Sequence, residues 1–379
     1  MPISINNPLL STSIFIAIFV FTLLLSIKRK EDQELFSLAL TQELKGLAIL
    51  SVIFAHIGYF LSNDHGFLFP LSIISGVGVN LFLFLSGFGL TVSELKEKLP
   101  LGEFYKKRLL KLFIPFWIVV IAFFLLDFFL LHISYGSLYI TQSLIGFFPR
   151  ADLFIDINSP LWFFTPILFY YLVFPFFFFK KYPWLTAVLI YLSSYFIIQL
   201  KLPITEDVLH LYQLHLLAFP LGVALASLFF KPHYFNKIKI SRIFPQSLNV
   251  IKSIAYYLTL IALLILIGYT AYYSGVGENP WKEQLISLVT MGAIILFFIM
   301  KKFEIKVFHI FGIYAYEIYL IHWPLVSRYD LFFKLFPAWL AMVFNLILLL
   351  VLAWVLVKMQ NQIRRIKIPH RIHNVDGEI

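Results

Sequence analysis

Lys45 and His56 stand eleven positions apart in Lys45-Gly46-Leu47-Ala48-Ile49-Leu50-Ser51-Val52-Ile53-Phe54-Ala55-His56, and the stretch 47–61 around the histidine is almost wholly apolar. A neutral imidazole takes a proton from a hydroxyl, and a lysine ammonium holds or stabilises an anion, so the pair could serve proton transfer beside a charged donor. An ionisable group at bilayer depth costs about 2.5 kcal/mol or more, which favours a task over packing as the reason for keeping it. On an α-helix eleven steps amount to about three turns and ~16 Å of rise, placing both side chains on one face. A histidine bonded to a nearby backbone carbonyl, with no chemistry, is the bland reading of the same pattern.

Three further groups could join that chemistry. Asn80 and Gly87, seven apart in 76–89, share a helix face on which glycine permits close approach and the amide can bond across helices. Lys107, Arg108 and Lys111 lie at spacings of three and four and form a basic patch able to hold phosphates, although topology alone also asks for positive charge there. Tyr319 and His322 share a face in Tyr314-Ala315-Tyr316-Glu317-Ile318-Tyr319-Leu320-Ile321-His322-Trp323-Pro324, where the aromatics also read as an interfacial belt. Asp127 and Glu317 are acids at membrane depth, expected to be paired or to face a polar cavity.

The elements that must position these groups follow from composition. Of 379 residues, 60% are hydrophobic and 13% charged, far from the soluble globular balance. The expected fold is all-α, a polytopic transmembrane bundle. Apolar windows of spanning length fall at 8–27, 44–61, 74–92, 110–132, 161–179, 184–200, 211–230, 251–273, 283–300, 307–326 and 337–357. Twenty-four lysines and arginines fall in alternate connections, at 28–30, 94–111, 180–181, 231–252, 301–306 and from 358 onward. The opposite connections hold five: Arg150, Lys201, Lys282, Arg328 and Lys334. Eleven spans with the N-terminus outside and the C-terminus inside satisfy the positive-inside rule without adjustment. The window at 184–200 is short, and that at 307–326 is diluted by tyrosines and Glu317.

The net charge of +10 sits in these connections, so nucleic acid is not an expected partner. No cysteine is present, which removes a thiol-borne acyl intermediate and cysteine metal sites. The first apolar segment has its basic residues after it rather than before it, so it reads as a retained helix and not as a signal peptide.

Four segments together resemble the acyltransferase-3 family of membrane O-acyltransferases. The family's first motif is a basic residue, ten intervening positions and a histidine; Lys45 and His56 match it, with lysine in place of the usual arginine. Gly78-Val79-Asn80-Leu81-Phe82-Leu83-Phe84-Leu85-Ser86-Gly87-Phe88 is similar to its glycine-led segment, with Asn80 where aspartate is common. Residues 104–115 are similar to its arginine-rich segment, and 315–325, with His322, to its terminal aromatic one. Ser159-Pro160-Leu161-Trp162-Phe163 is similar to its middle tryptophan segment. The resemblance divides the chain into an additional helix and linker at 1–43, the acyltransferase-like membrane domain at 44–358 and a basic tail at 359–379.

What the resemblance implies is transfer of an acyl group, usually acetyl, from cytoplasmic acyl-CoA to a hydroxyl of a cell-surface or lipid-linked polysaccharide, by a multi-pass protein of the plasma membrane. The donor would be a substrate, acetyl-CoA or another acyl-CoA, and no bound cofactor is expected. His56 would be the general base or an acyl relay, with Lys45 orienting the donor and Lys107, Arg108 and Lys111 holding its phosphates. Asn80 and Tyr319 would stabilise the oxyanion, His322 would hold the acceptor, and Trp162 would line its site. An exporter of polysaccharide or lipid-linked sugar is the alternative from another class, and a membrane-bound lipid acyltransferase is a second rival, for which no His-x-x-x-x-Asp signature is present.

Overall fold

The computed structural model describes residues 3–30, 34, 36–229, 250–274 and 279–366. Fourteen α-helices occur among them: α1 (Pro8–Leu25), α2 (Leu38–Ala55), α3 (Ser75–Lys96), α4 (Leu101–Leu130), α5 (Ser137–Ile145), α6 (Phe164–Phe177), α7 (Pro183–Gln199), α8 (Glu206–Leu214), α9 (Ala218–Phe229), α10 (Val250–Tyr272), α11 (Pro280–Met300), α12 (Lys306–Ile313), α13 (Ala315–Ser327) and α14 (Ala338–Ile366). Their starts carry local signals. The Ser37 hydroxyl accepts the Leu40 amide to open α2, the Asn279 side chain accepts the Lys282 amide to open α11, and proline begins α1, α7 and α11.

Nine helical segments among the described residues are long and apolar enough to cross a membrane. The short window at 184–200 and the diluted one at 307–326 are where the regular pattern gives way. α7 has only 17 residues, and the window at 307–326 is two helices, α12 and α13, broken at Tyr314. The basic connection at 231–252 and the tail from 367 onward fall largely or wholly outside the described residues. One small departure from an all-α chain is a two-stranded antiparallel ribbon, β1 (Ile27–Arg29) with β2 (Phe303–Ile305), in which Lys28 faces Glu304 and bonds it at 2.9 Å.

The segment Leu38–Leu61 has 72% of its spanning window buried, against 17% for Pro8–Leu25, so α2 is the central rod and α1 a peripheral one. Two reciprocal glycine crossings build the centre. A side chain at Gly46 would strike the Phe308 backbone and one at Gly312 the Gln42 backbone, which locks α2 to α12. Gly87 against Phe219 and Gly222 against Phe84 lock α3 to α9 in the same manner. Large apolar side chains such as Phe21, Leu24, Phe129, Phe196 and Ile265 are turned outward, as a lipid solvent requires.

At one end of the centre Lys301 is fully enclosed and donates to both Glu43 carboxylate oxygens, at 2.7 and 3.0 Å, while the Ile305 amide donates to the same carboxylate at 2.6 Å. At the other end α1 braces the exit of α2. The Ile3 amide donates to Leu61, the Ile5 amide to the Asn63 side chain, and Phe15 and Phe19 pack edge-on against Phe54.

Candidate active site

α2 does not end as it began. From His56 to Leu61 its winding widens into a π-helical turn, a distortion that recurs at functional sites. His56 is half-buried and meets His322 of α13, itself buried. Their facing nitrogens, Nδ1 of His56 and Nε2 of His322, are 2.7 Å apart. The ring planes differ by 8° and the centroids lie 5.0 Å apart, which leaves one ring radius on either side of the contact. The rings therefore meet edge to edge in one plane and not face to face.

The protons of the pair follow from its partners. His322 Nδ1 faces the backbone oxygens of Tyr319 at 2.8 Å and Ile318 at 3.2 Å. A carbonyl only accepts, so Nδ1 of His322 carries the proton and its Nε2 is left as an acceptor. His56 Nδ1–H then donates to it, and the free lone pair of His56 is on Nε2. Trp323 and Phe60 stand edge-on to the His56 ring, at 5.1 and 5.8 Å, and restrict its rotation.

α13 is held in place by a consequence of its proline. Pro324 has no amide hydrogen, so the Leu320 carbonyl, four residues earlier, loses its helical donor. The Asn158 side-chain amide supplies one at 2.8 Å. Two residues on, the Pro160 carbonyl accepts the Tyr319 hydroxyl at 2.9 Å. The turn Ser159–Phe163 is thereby stitched to the helix that carries His322. Tyr319 lies beside His322, with ring centroids 6.3 Å apart, but its hydroxyl proton is spent on Pro160.

Asn80 and Trp162 gather elsewhere, around a histidine that the sequence reading passed over. Asn80 is fully buried; its amide nitrogen donates to the Ser287 hydroxyl at 2.7 Å, and its oxygen lies 2.8 Å from His215 Nδ1. Trp162 stacks on His215 with centroids 5.8 Å apart. His215 sits inside the apolar window 211–230 and is, like His56, an ionisable group at membrane depth.

Asp127 is also paired. It accepts from Arg328 at 2.8 Å and from the hydroxyls of Tyr135 and Tyr329, and Arg328 reaches on to the carbonyls of Ile155 and Asp156. Glu317 accepts from Gln360 at 3.0 Å. In the irregular segment between α5 and α6, outside the spans, the Ile155 and Phe154 amides hold the Asp152 carboxyl below the usual carboxylate range.

At the opposite end from this segment, Lys107 and Lys111 are exposed on α4. Arg108 turns inward, donating to Ser93 at 2.9 Å, with its Nε buried and without a hydrogen-bond partner among the described residues. Lys45 lies within electrostatic reach of Lys111, which brings the basic residue of the first motif to the basic patch. Two like charges brought together concentrate a field that an anion relieves.

No curated protein and no solved structure matches the chain. Residues 44–358, most of its length, match the family model Acyl_transf_3, an acyltransferase domain, and the chain belongs to that family of membrane proteins.

Proposed function

We propose that this protein is an O-acyltransferase of the plasma membrane, which moves an acyl group, acetyl in the simplest case, from cytoplasmic acyl-CoA to a hydroxyl of a cell-surface or lipid-linked polysaccharide. The observation that carries the reading is the coplanar His56–His322 contact, whose outer carbonyl partners leave a lone pair on His56 Nε2. That nitrogen takes the proton of the acceptor hydroxyl as its oxygen attacks the thioester carbonyl carbon. The tetrahedral intermediate then expels the thiolate, which receives the proton from His56, giving the ester and free CoA. While His56 is an imidazolium, His322 Nε2 accepts its Nδ1–H and holds the ring in place. His322 is thus a positioning residue in this reading, rather than the acceptor-binding group that the resemblance implied. Lys45, Lys107, Arg108 and Lys111 bind the phosphates and orient the donor from the inner end.

Protein in nanodiscs, given acyl-labelled acetyl-CoA and isolated envelope polysaccharide, is expected to release CoA and form acetyl ester in equal amounts. His56→Ala is expected to form neither. Cells carrying His56→Ala keep the surface glycan and lose its ester; loss of the glycan itself from the surface would overturn the reading in favour of an exporter.

A further inference from the structure

A pocket that neither His56 nor His322 lines lies between α6, α7 and α8, with a cavity volume of about 190 Å³. An apolar cavity of about 150 Å³ is enough for a benzene ring. Its walls are apolar or aromatic, among them Phe169, Ile198 and Leu209, and no charged side chain among the described residues lines it. The hydroxyls on the wall are engaged with protein groups: Thr165 with the Phe148 amide, Tyr212 with the Phe148 carbonyl, Tyr170 with Leu216, Ser194 with Ile190 and Thr205 with Leu202.

Two residues of that wall each carry a polar atom with no hydrogen-bond partner among the described residues. His215, 8% exposed, uses Nδ1 as a donor to Asn80, so its Nε2 is an acceptor. The Trp162 indole N–H, on the ring stacked against His215, is a donor. Neither atom is fully enclosed, so a group on a ligand can reach each and bond to it. One small uncharged group satisfies an acceptor and a donor together: a hydroxyl, which gives its proton to one and takes the other's. A phosphate or carboxylate would meet no cation in the cavity, and a hydrocarbon would leave both atoms unpaired.

We propose that the His215 cavity binds an uncharged, largely apolar alcohol, its body against Phe169 and Leu209 and its hydroxyl between His215 Nε2 and the Trp162 indole. The Asn80–Ser287 pair holds the imidazole in the tautomer that accepts. The site stands on its own geometry and does not depend on acyl transfer.

The test uses the full chain in nanodiscs and a six-carbon alcohol carrying an alkyl diazirine, with its methyl ether as control and labels mapped by peptide mass spectrometry. The alcohol is expected to label the stretches 162–170 and 209–216, and the ether about tenfold less at equal concentration, since it cannot donate. His215→Phe is expected to bring alcohol and ether to the same level. Leu209→Trp, which fills the cavity from its other wall and leaves His215 untouched, is expected to abolish labelling by both. Competition by a monoacylglycerol in the bilayer or by benzyl alcohol in the buffer distinguishes a lipid source from an aqueous one. Equal labelling of the natural chain by alcohol and ether, or labels spread over α1 and α10, would overturn the proposal. Either result leaves the acyltransferase reading untouched, because no turnover is measured.

Discussion

His56 Nδ1 and His322 Nε2 lie 2.7 Å apart although 266 positions separate them in the chain. The contact joins the widened end of α2 to the proline-bearing helix α13, and its outer end is anchored on two backbone carbonyls. In the proposed reaction a base oriented in this way spends no rotational freedom at the moment of proton transfer, which is how a hydrogen-bonded partner contributes to histidine catalysis.

His322→Ala should therefore lower kcat by about a hundred- to ten-thousand-fold, with little change in KM for the donor. His322→Gln, whose amide oxygen can accept from His56 Nδ1–H, should recover part of that loss. Steady-state acyl transfer on both variants checks this; equal loss from Ala and Gln would argue for packing alone.

The inner cations should affect the donor instead. Lys111→Glu places a negative charge next to Lys45 and should raise KM for acyl-CoA about tenfold or more, leaving kcat nearly unchanged at saturation. Lys45→Ala should act in the same direction. Initial rates across donor concentration, at low and high salt, decide it, because screening weakens the effect of exposed charges.

Breaking the enclosed Glu43–Lys301 pair by Lys301→Met should cost about 3–5 kcal/mol, since Glu43 is left buried with only the Ile305 amide. The double variant Glu43→Gln with Lys301→Met should be less harmful than Lys301→Met alone. Thermal unfolding in detergent, read by intrinsic fluorescence, gives the order of the three proteins.

α1 is outside the matched domain yet touches the segment that carries His56. Phe15→Ala opens a void against Phe54, two residues before the histidine, and should cost on the order of 3 kcal/mol. If α1 braces the π-turn, the variant also loses turnover with KM unchanged below its melting range. Normal turnover in the folded variant would confine α1 to a stability role.

The amino-acid sequence by itself determined the solvent and the rods. Hydropathy is a local property, readable window by window, and it marked out an all-helical membrane protein, nine of whose helical segments among the described residues are long and apolar enough to span, with the weaker windows falling where α7 is short and α12 breaks from α13. The types and spacing of Lys45, His56 and His322 likewise picked out ionisable groups at membrane depth, and those of Lys107, Arg108 and Lys111 a basic patch. Only the tertiary structure decided which of them meet. It brought His322 to His56, sent Asn80 and Trp162 to His215, committed the Tyr319 hydroxyl to Pro160 and matched Asp127 with Arg328. Hydrogen bonds act over about 3 Å, and which helices approach that closely depends on glycine crossings and freed carbonyls that no single window of sequence contains.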